Sequence, residues 1–175
     1  MPTPPDFPAG PPPTDAIRSE AELREHVDAL ARAPQLLRTI AGDLTDDRLD
    51  TPYKNWTVRQ IVHHIADSHI NAYTRFKLAL TEDAPPIRPY NEGAWVSLSD
   101  AKNAPVETPL ALIDSLHASW VALTGAMSWD DWARTYVHPE ERRPIPLSLA
   151  LPLYTWHGRH HTAQIEWLSR QNRWR

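Results

Sequence analysis

The chain has 175 residues, a formal net charge of −4 and no cysteine, a length that suits one domain burying well over half of its unfolded surface. Eighteen basic against twenty-two acidic side chains supply no basic tract of the kind that nucleic acid or an anionic membrane recruits, and no run reaches the ~18 apolar residues of a membrane helix. Residues 1–13 lack the basic-then-apolar order of a signal peptide, so the expected location is the cytoplasm.

Residues 1–14 carry seven prolines and are expected to form an extended tail that wraps the surface or stays mobile, ahead of a single domain over residues 15–175. From Ser19 a helical period begins with Leu23, Val27, Leu30, Leu37 and then Ile40 or Ala41. Ser19 and Glu22 suit a capping box, and Pro34 should kink or split the helix. Residues 42–53 read as a connection.

Thr57 suits the N-cap of a second helix with the stripe Val58, Ile61, Val62, Ile65, Ala72, Tyr73, Phe76 and Leu80, ending before Pro85-Pro86. The long loop 84–106, with Tyr90, Glu92 and Trp95, should be functional or packed by its own side chains. Thr108-Pro109 opens a third helix, with Thr108 as N-cap and Leu112, Leu116, Trp120, Leu123 and Met127 as its buried stripe. A short turn at residues 128–131 and a loop bearing His138-Pro139-Glu140 follow. A fourth helix covers about Leu147 to Arg170, with Pro152 in its second turn bending the start. No segment alternates as a strand does, and the pattern predicts an all-α four-helix bundle.

Six of the nine histidines fall in two clusters, His63, His64 and His69 on the second helix and His157, His160 and His161 on the fourth. His157 and His161 are four apart and share a face with Ala150, Leu153, Tyr154, Ile165 and Leu168, so both imidazoles point into the bundle. Two inward imidazoles one turn apart are a hydrogen-bonded core pair or the ligands of a divalent cation. Periodicity does not choose a third ligand: His69 lies nearer the centre of its stripe than His64, and His63 points outward. Trp120, Trp156 and Trp167 read as core.

The run from Trp56 to His69 resembles the DinB superfamily and, within it, the YfiT-like group. So do the segments Arg75 to Glu82, Ile87 to Tyr90, Leu116-His117, His138-Pro139 and Tyr154 to His161. The resemblance covers nearly everything after the proline tail. It implies a four-helix bundle, usually a homodimer, with one metal held by His64, His157 and His161. Zn2+ and Ni2+ both suit such imidazoles.

Three neutral ligands leave a position for water or for a thiol. The YfiT-like group resembles transferases that join bacillithiol to electrophiles, so a thiol S-transferase with a bacillithiol-like cosubstrate is the expected function. With no cysteine in the chain, the thiol must come from a substrate. The group's older label, metal-dependent hydrolase, supplies the alternative, and a non-catalytic metal-binding bundle is a third. Asp67 is a candidate to hold His64, and Arg75, Arg88 and Arg159 are candidates to contact an acidic thiol. His63, His69 and His160 are expected to pack or to hydrogen-bond near the ligands.

Overall fold

The computed structural model describes residues 2–141 and 143–174. In chain order it places α1 (Glu20–Ala41), the single-turn α2 (Asp46–Leu49), β1 (Pro52–Tyr53), β2 (Trp56–Thr57) and α3 (Val58–Thr81). Two short helices, α4 (Glu92–Trp95) and α5 (Ser99–Asn103), interrupt the long loop before α6 (Glu107–Gly125). A 3-10 turn at Asp130–Ala133, the pair β3 (Thr135–Tyr136) and β4 (Ile145–Pro146), and α7 (Leu147–Asn172) complete the chain. α1 and α3 each pack against both α6 and α7, so the four long helices form the expected bundle.

The two strand pairs correct the strand-free expectation. Each ladder is two residues long, with Pro52 opposite Thr57 and Thr135 opposite Pro146, too short to leave an alternating pattern in sequence. They lead directly into α3 and α7, the helices that carry the histidine clusters. At the start of α3, the Thr57 hydroxyl accepts from the Gln60 backbone N–H at 3.2 Å and the Gln60 side-chain oxygen Oε1 accepts from the Thr57 N–H at 2.9 Å. This reciprocal capping box fixes where α3 begins. At α1 only half of the expected box forms: Ser19 accepts from the Glu22 N–H, while the Glu22 carboxylate takes the N–H of Arg18.

α1 is not split at Pro34, and α7 runs through Pro152. A proline inside a helix leaves the carbonyl four residues earlier without its donor, and both such carbonyls find another. The N–H of Ile17 donates to Ser148 O at 2.9 Å. Leu30 O lies 2.8 Å from His117 Nδ1.

α6 starts two positions earlier than expected. It starts at Glu107 without a side-chain cap, so Thr108 is not its N-cap, and Pro109 sits in the first turn, where no partner for its nitrogen is needed. The buried face is Leu110, Ile113, His117, Trp120 and Thr124, and Leu112 is 42% exposed. The sequence reading followed the leucines. The buried stripe contains two polar residues because both are satisfied, Thr124 by the Trp120 carbonyl and His117 by Leu30 O.

The apolar core has two parts. One contains Leu37, Ile61, Ile65, Ile113 and Ile165; the other contains Leu30, Phe76, Trp120, Leu147 and Leu151. Along α3, α6 and α7 the residues between the two parts include His69, His117, His157 and His161, so a histidine layer crosses the bundle. The proline-rich tail is laid against the outside of α7: Trp156 Nε1 donates to Gly10 O at 3.0 Å, and Phe7 packs on Trp156 and His160.

Candidate metal centre

α3 and α7 pack side by side, which brings His64 opposite His157 and His161. One ligand atom from each of the three lies within 4.8 Å of the others, and the Nε2 atoms of His64 and His157 are 3.0 Å apart. The other nitrogen of two of these rings is engaged. His161 Nδ1 lies 2.8 Å from Gln164 Oε1, an atom that can only accept, so His161 donates from Nδ1 and leaves Nε2 bare. His157 Nδ1 faces His69 Nε2 at 3.4 Å. His64 Nδ1 is buried with no partner among the described residues.

Burial holds the His64 imidazole down to about 4, and burial with the neighbouring His64 ring holds His161 down to about 3. His157 is pushed well below the ordinary histidine value, first by burial and then by His161 and His64. All three rings are therefore neutral at physiological pH, with lone pairs free to bind. Three neutral imidazoles converging on one point fit a divalent ion at about 2.0–2.1 Å from each nitrogen. The Trp56 ring packs 4.7 Å from His64 and stacks 6.3 Å from His161, shielding that side from water.

His157 opens onto a cavity of about 400 Å3, lined also by Ser68, Arg75, Tyr90, Glu92 and Tyr154. Glu92 Oε2 lies 3.8 Å from His64 Nε2, and its side chain is 61% exposed. Arg75 donates to the Tyr154 hydroxyl at 2.6 Å. Among the described residues no carboxylate lies within ion-pair distance of Arg75. The loop that carries Glu92 is tied to α3 at two points, by Gln60 Nε2 donating to Val96 O at 2.7 Å and Arg59 Nη1 donating to Ala104 O at 3.1 Å.

The remaining candidates separate cleanly. Asp67 does not hold His64: no hydrogen bond joins them, and burial together with the charge of Asp100 raises its carboxyl to about 6. Of the three arginines only Arg75 lines the cavity; Arg159 pairs with Glu166 at 3.2 Å, and Arg88 is solvent-exposed. His63 is buried, its Nε2 has no partner among the described residues, and it stands outside the three-histidine group. His160 stacks on Trp156 and hydrogen-bonds to Gln164. Trp120 is fully buried, and Trp156 and Trp167 are half-buried. Glu92, His117, Gln164 and Trp56 had no site role in the sequence reading. His117 was detectable there, because it stands four residues after Ile113 and three before Trp120 on one helical face.

A helical bundle in which two neighbouring helices aim three imidazoles at one point defines a class, the bundle metalloproteins. The model of the DinB superfamily matches residues 29–165, and the chain belongs to that superfamily. Its relatives include YfiT of Bacillus subtilis, 44% identical over 164 residues that cover 93% of this chain and 92% of YfiT. A protein of Bacillus pumilus is 45% identical over 159 residues, 90% of each chain. Both carry the name "Putative metal-dependent hydrolase". The solved structure of YfiT, described as a probable metal-dependent hydrolase with an unusual four-helix bundle topology, superimposes with a TM-score of 0.93 at 43% identity, covering 97% of this chain and 98% of that one. No helix among the described residues is long and apolar enough to cross a membrane.

Proposed function

We propose that the protein is a metal-dependent thiol S-transferase, holding Zn2+ or Ni2+ on His64, His157 and His161 and joining a bacillithiol-like thiol to an electrophile. The observation that carries the reading is the opening of a neutral three-imidazole cluster onto a cavity that holds two carboxylates, Glu92 and Glu140, and an arginine, Arg75, with no carboxylate partner among the described residues. A purely structural ion predicts a closed site, whereas His157 lines the cavity wall.

When bound, a divalent ion lowers the pKa of a thiol or water at its open position. The neutral histidines leave the charge of such an ion undiminished. Glu92 Oε2, beside the ligand nitrogens, receives the proton that the nucleophile gives up. Arg75, steadied by Tyr154, binds an anionic group of the thiol. The sulfur–carbon bond forms as the bond from carbon to its leaving group breaks, and the leaving group keeps the electron pair. Hydrolysis is the second reading, favoured by the names of the relatives; it uses the same residues with water in place of thiol. The family resemblance extends the proposal to a homodimer.

The test loads purified protein with Zn2+ or Ni2+ and follows conjugation of a bacillithiol-type thiol to a chromogenic electrophile, beside His157→Ala. Conjugation should outrun the free thiol, and the variant should lose both that acceleration and the bound ion, about one per chain in the wild type. No acceleration with any thiol overturns the transferase reading, and thiol-independent ester cleavage by the loaded protein puts hydrolysis in its place.

A further inference from the structure

The histidine layer contains two rings that the metal reading does not use. His69 and His117 are 1% and 2% exposed, and their hydrogen bonds form one line from the backbone of α1 to the metal centre. We propose that His69 and His117 are positioning residues that force His157 to turn Nε2 toward the ion, through a one-way chain that begins at the carbonyl freed by Pro34. The proposal rests on the metal reading of His64, His157 and His161.

The direction of the chain follows from what each atom can do. Pro34 has no N–H, so Leu30 O has no donor within its helix. A carbonyl only accepts, so His117, at 2.8 Å, must donate from Nδ1. No carboxylate hydrogen-bonds to His117, and in a buried neutral ring the second nitrogen then carries a lone pair. His117 Nε2 lies 2.7 Å from His69 Nδ1, so His69 is the donor there. That leaves His69 Nε2 as an acceptor, 3.4 Å from His157 Nδ1. His157 donates in its turn, and its remaining lone pair sits on Nε2, 3.0 Å from His64 Nε2. Each link admits a single arrangement of protons once the first is fixed.

Metal-bound histidines ordinarily give their second N–H to a carboxylate, a backbone carbonyl or water. Here the carbonyl lies two imidazoles away, and the intervening rings carry its polarity across the bundle. The packing agrees. A Cβ built on Gly158, the residue after His157, would lie 3.2 Å from His69 Cε1 and 3.6 Å from His69 Nε2. Glycine at 158 thus lets α7 pass close enough for the last link to form.

The test reads protons directly. Long-range proton–nitrogen spectra of metal-free, full-length protein labelled at histidine, recorded above neutral pH, should show His117, His69 and His157 each protonated on Nδ1 and bare on Nε2. Competition with a chromophoric chelator should show His69→Phe weakening Zn2+ binding by about 10–100-fold. His69→Gln can accept from His157 and donate to His117, and it should bind closer to wild type. A wild-type His157 protonated on Nε2 overturns the proposal, as does a His69→Phe that binds Zn2+ as tightly as wild type. The wild-type spectrum decides even where His69→Phe fails to fold. If the wild type itself rejects Zn2+ and Ni2+, the metal reading falls on its own, and the spectrum still judges the chain.

Discussion

Two prolines sit inside two long helices of this bundle without breaking them, and the carbonyls they free meet different fates. At Pro152 the carbonyl of Ser148 takes the backbone N–H of Ile17. A backbone N–H has nothing further to pass on, so the bond ends as a clasp that fastens the segment before α1 onto α7. At Pro34 the carbonyl of Leu30 takes a side chain with a second nitrogen, and the effect continues through His117 and His69 to His157. Proline in a helix interior costs about 3 kcal/mol relative to alanine. Whether the defect remains local depends on whether the donor that fills it has another polar atom to spend.

The largest expected effect lies just beyond the loaded end of the Leu30 chain. Glu92→Gln should lower turnover by about 100-fold while metal content stays at wild type. That result would separate the chain's task, binding, from the carboxylate's task, moving a proton. Metal lost along with activity would show Glu92 to be a ligand.

Next comes acidity, which should strike the histidine layer hardest, because burial holds its imidazoles in the neutral form. An unfolded histidine takes up a proton near about 6.5, whereas folded His64 resists until about 4 and His161 until about 3. Below about 6.5 the unfolded chain binds more protons than the folded one, so the stability of metal-free protein falls as pH drops through that window. Thermal melts between neutral pH and 4.5 should show this decline. A flat profile would mean that these imidazoles titrate as in water.

The smallest effect sharpens the comparison most directly. Pro34→Ala restores an N–H that competes for Leu30 O and should shift the His117 Nδ1 signal and weaken Zn2+ binding a few-fold. Pro152→Ala should leave both unchanged. Equal effects from the two substitutions, measured by the same spectra and titration, would erase the distinction between clasp and chain.

The sequence made some of this plain. Thr57 marks the start of α3 because an N-cap is local chemistry, and the spacing of His157 and His161 determines a shared face because helical geometry is periodic. His64 was selected by resemblance alone, since the angular position of His69 is as good; the structure shows that both face inward, one to the ligand group and one to His117. The stripe of α6 was misplaced because leucines outweigh a histidine in any apolar count, although that histidine is buried and bonded. Glu92 was out of reach, since its nearness to His64 depends on how a long loop folds back over α3, and no periodicity encodes that.

The two ties that hold this loop to α3 have a consequence for divergence. Gln60 grips Val96 and Arg59 grips Ala104, so the stretch ahead of Val96, with Tyr90 and Glu92, hangs from anchors that belong to the same helix as His64. Residues 88–95, beyond the buried Ile87 and its backbone pairing with Val137, can therefore change in length and side chain without disturbing the three histidines. Descendants of one ancestral bundle can acquire new substrates by rewriting these few positions while inheriting the same three histidines.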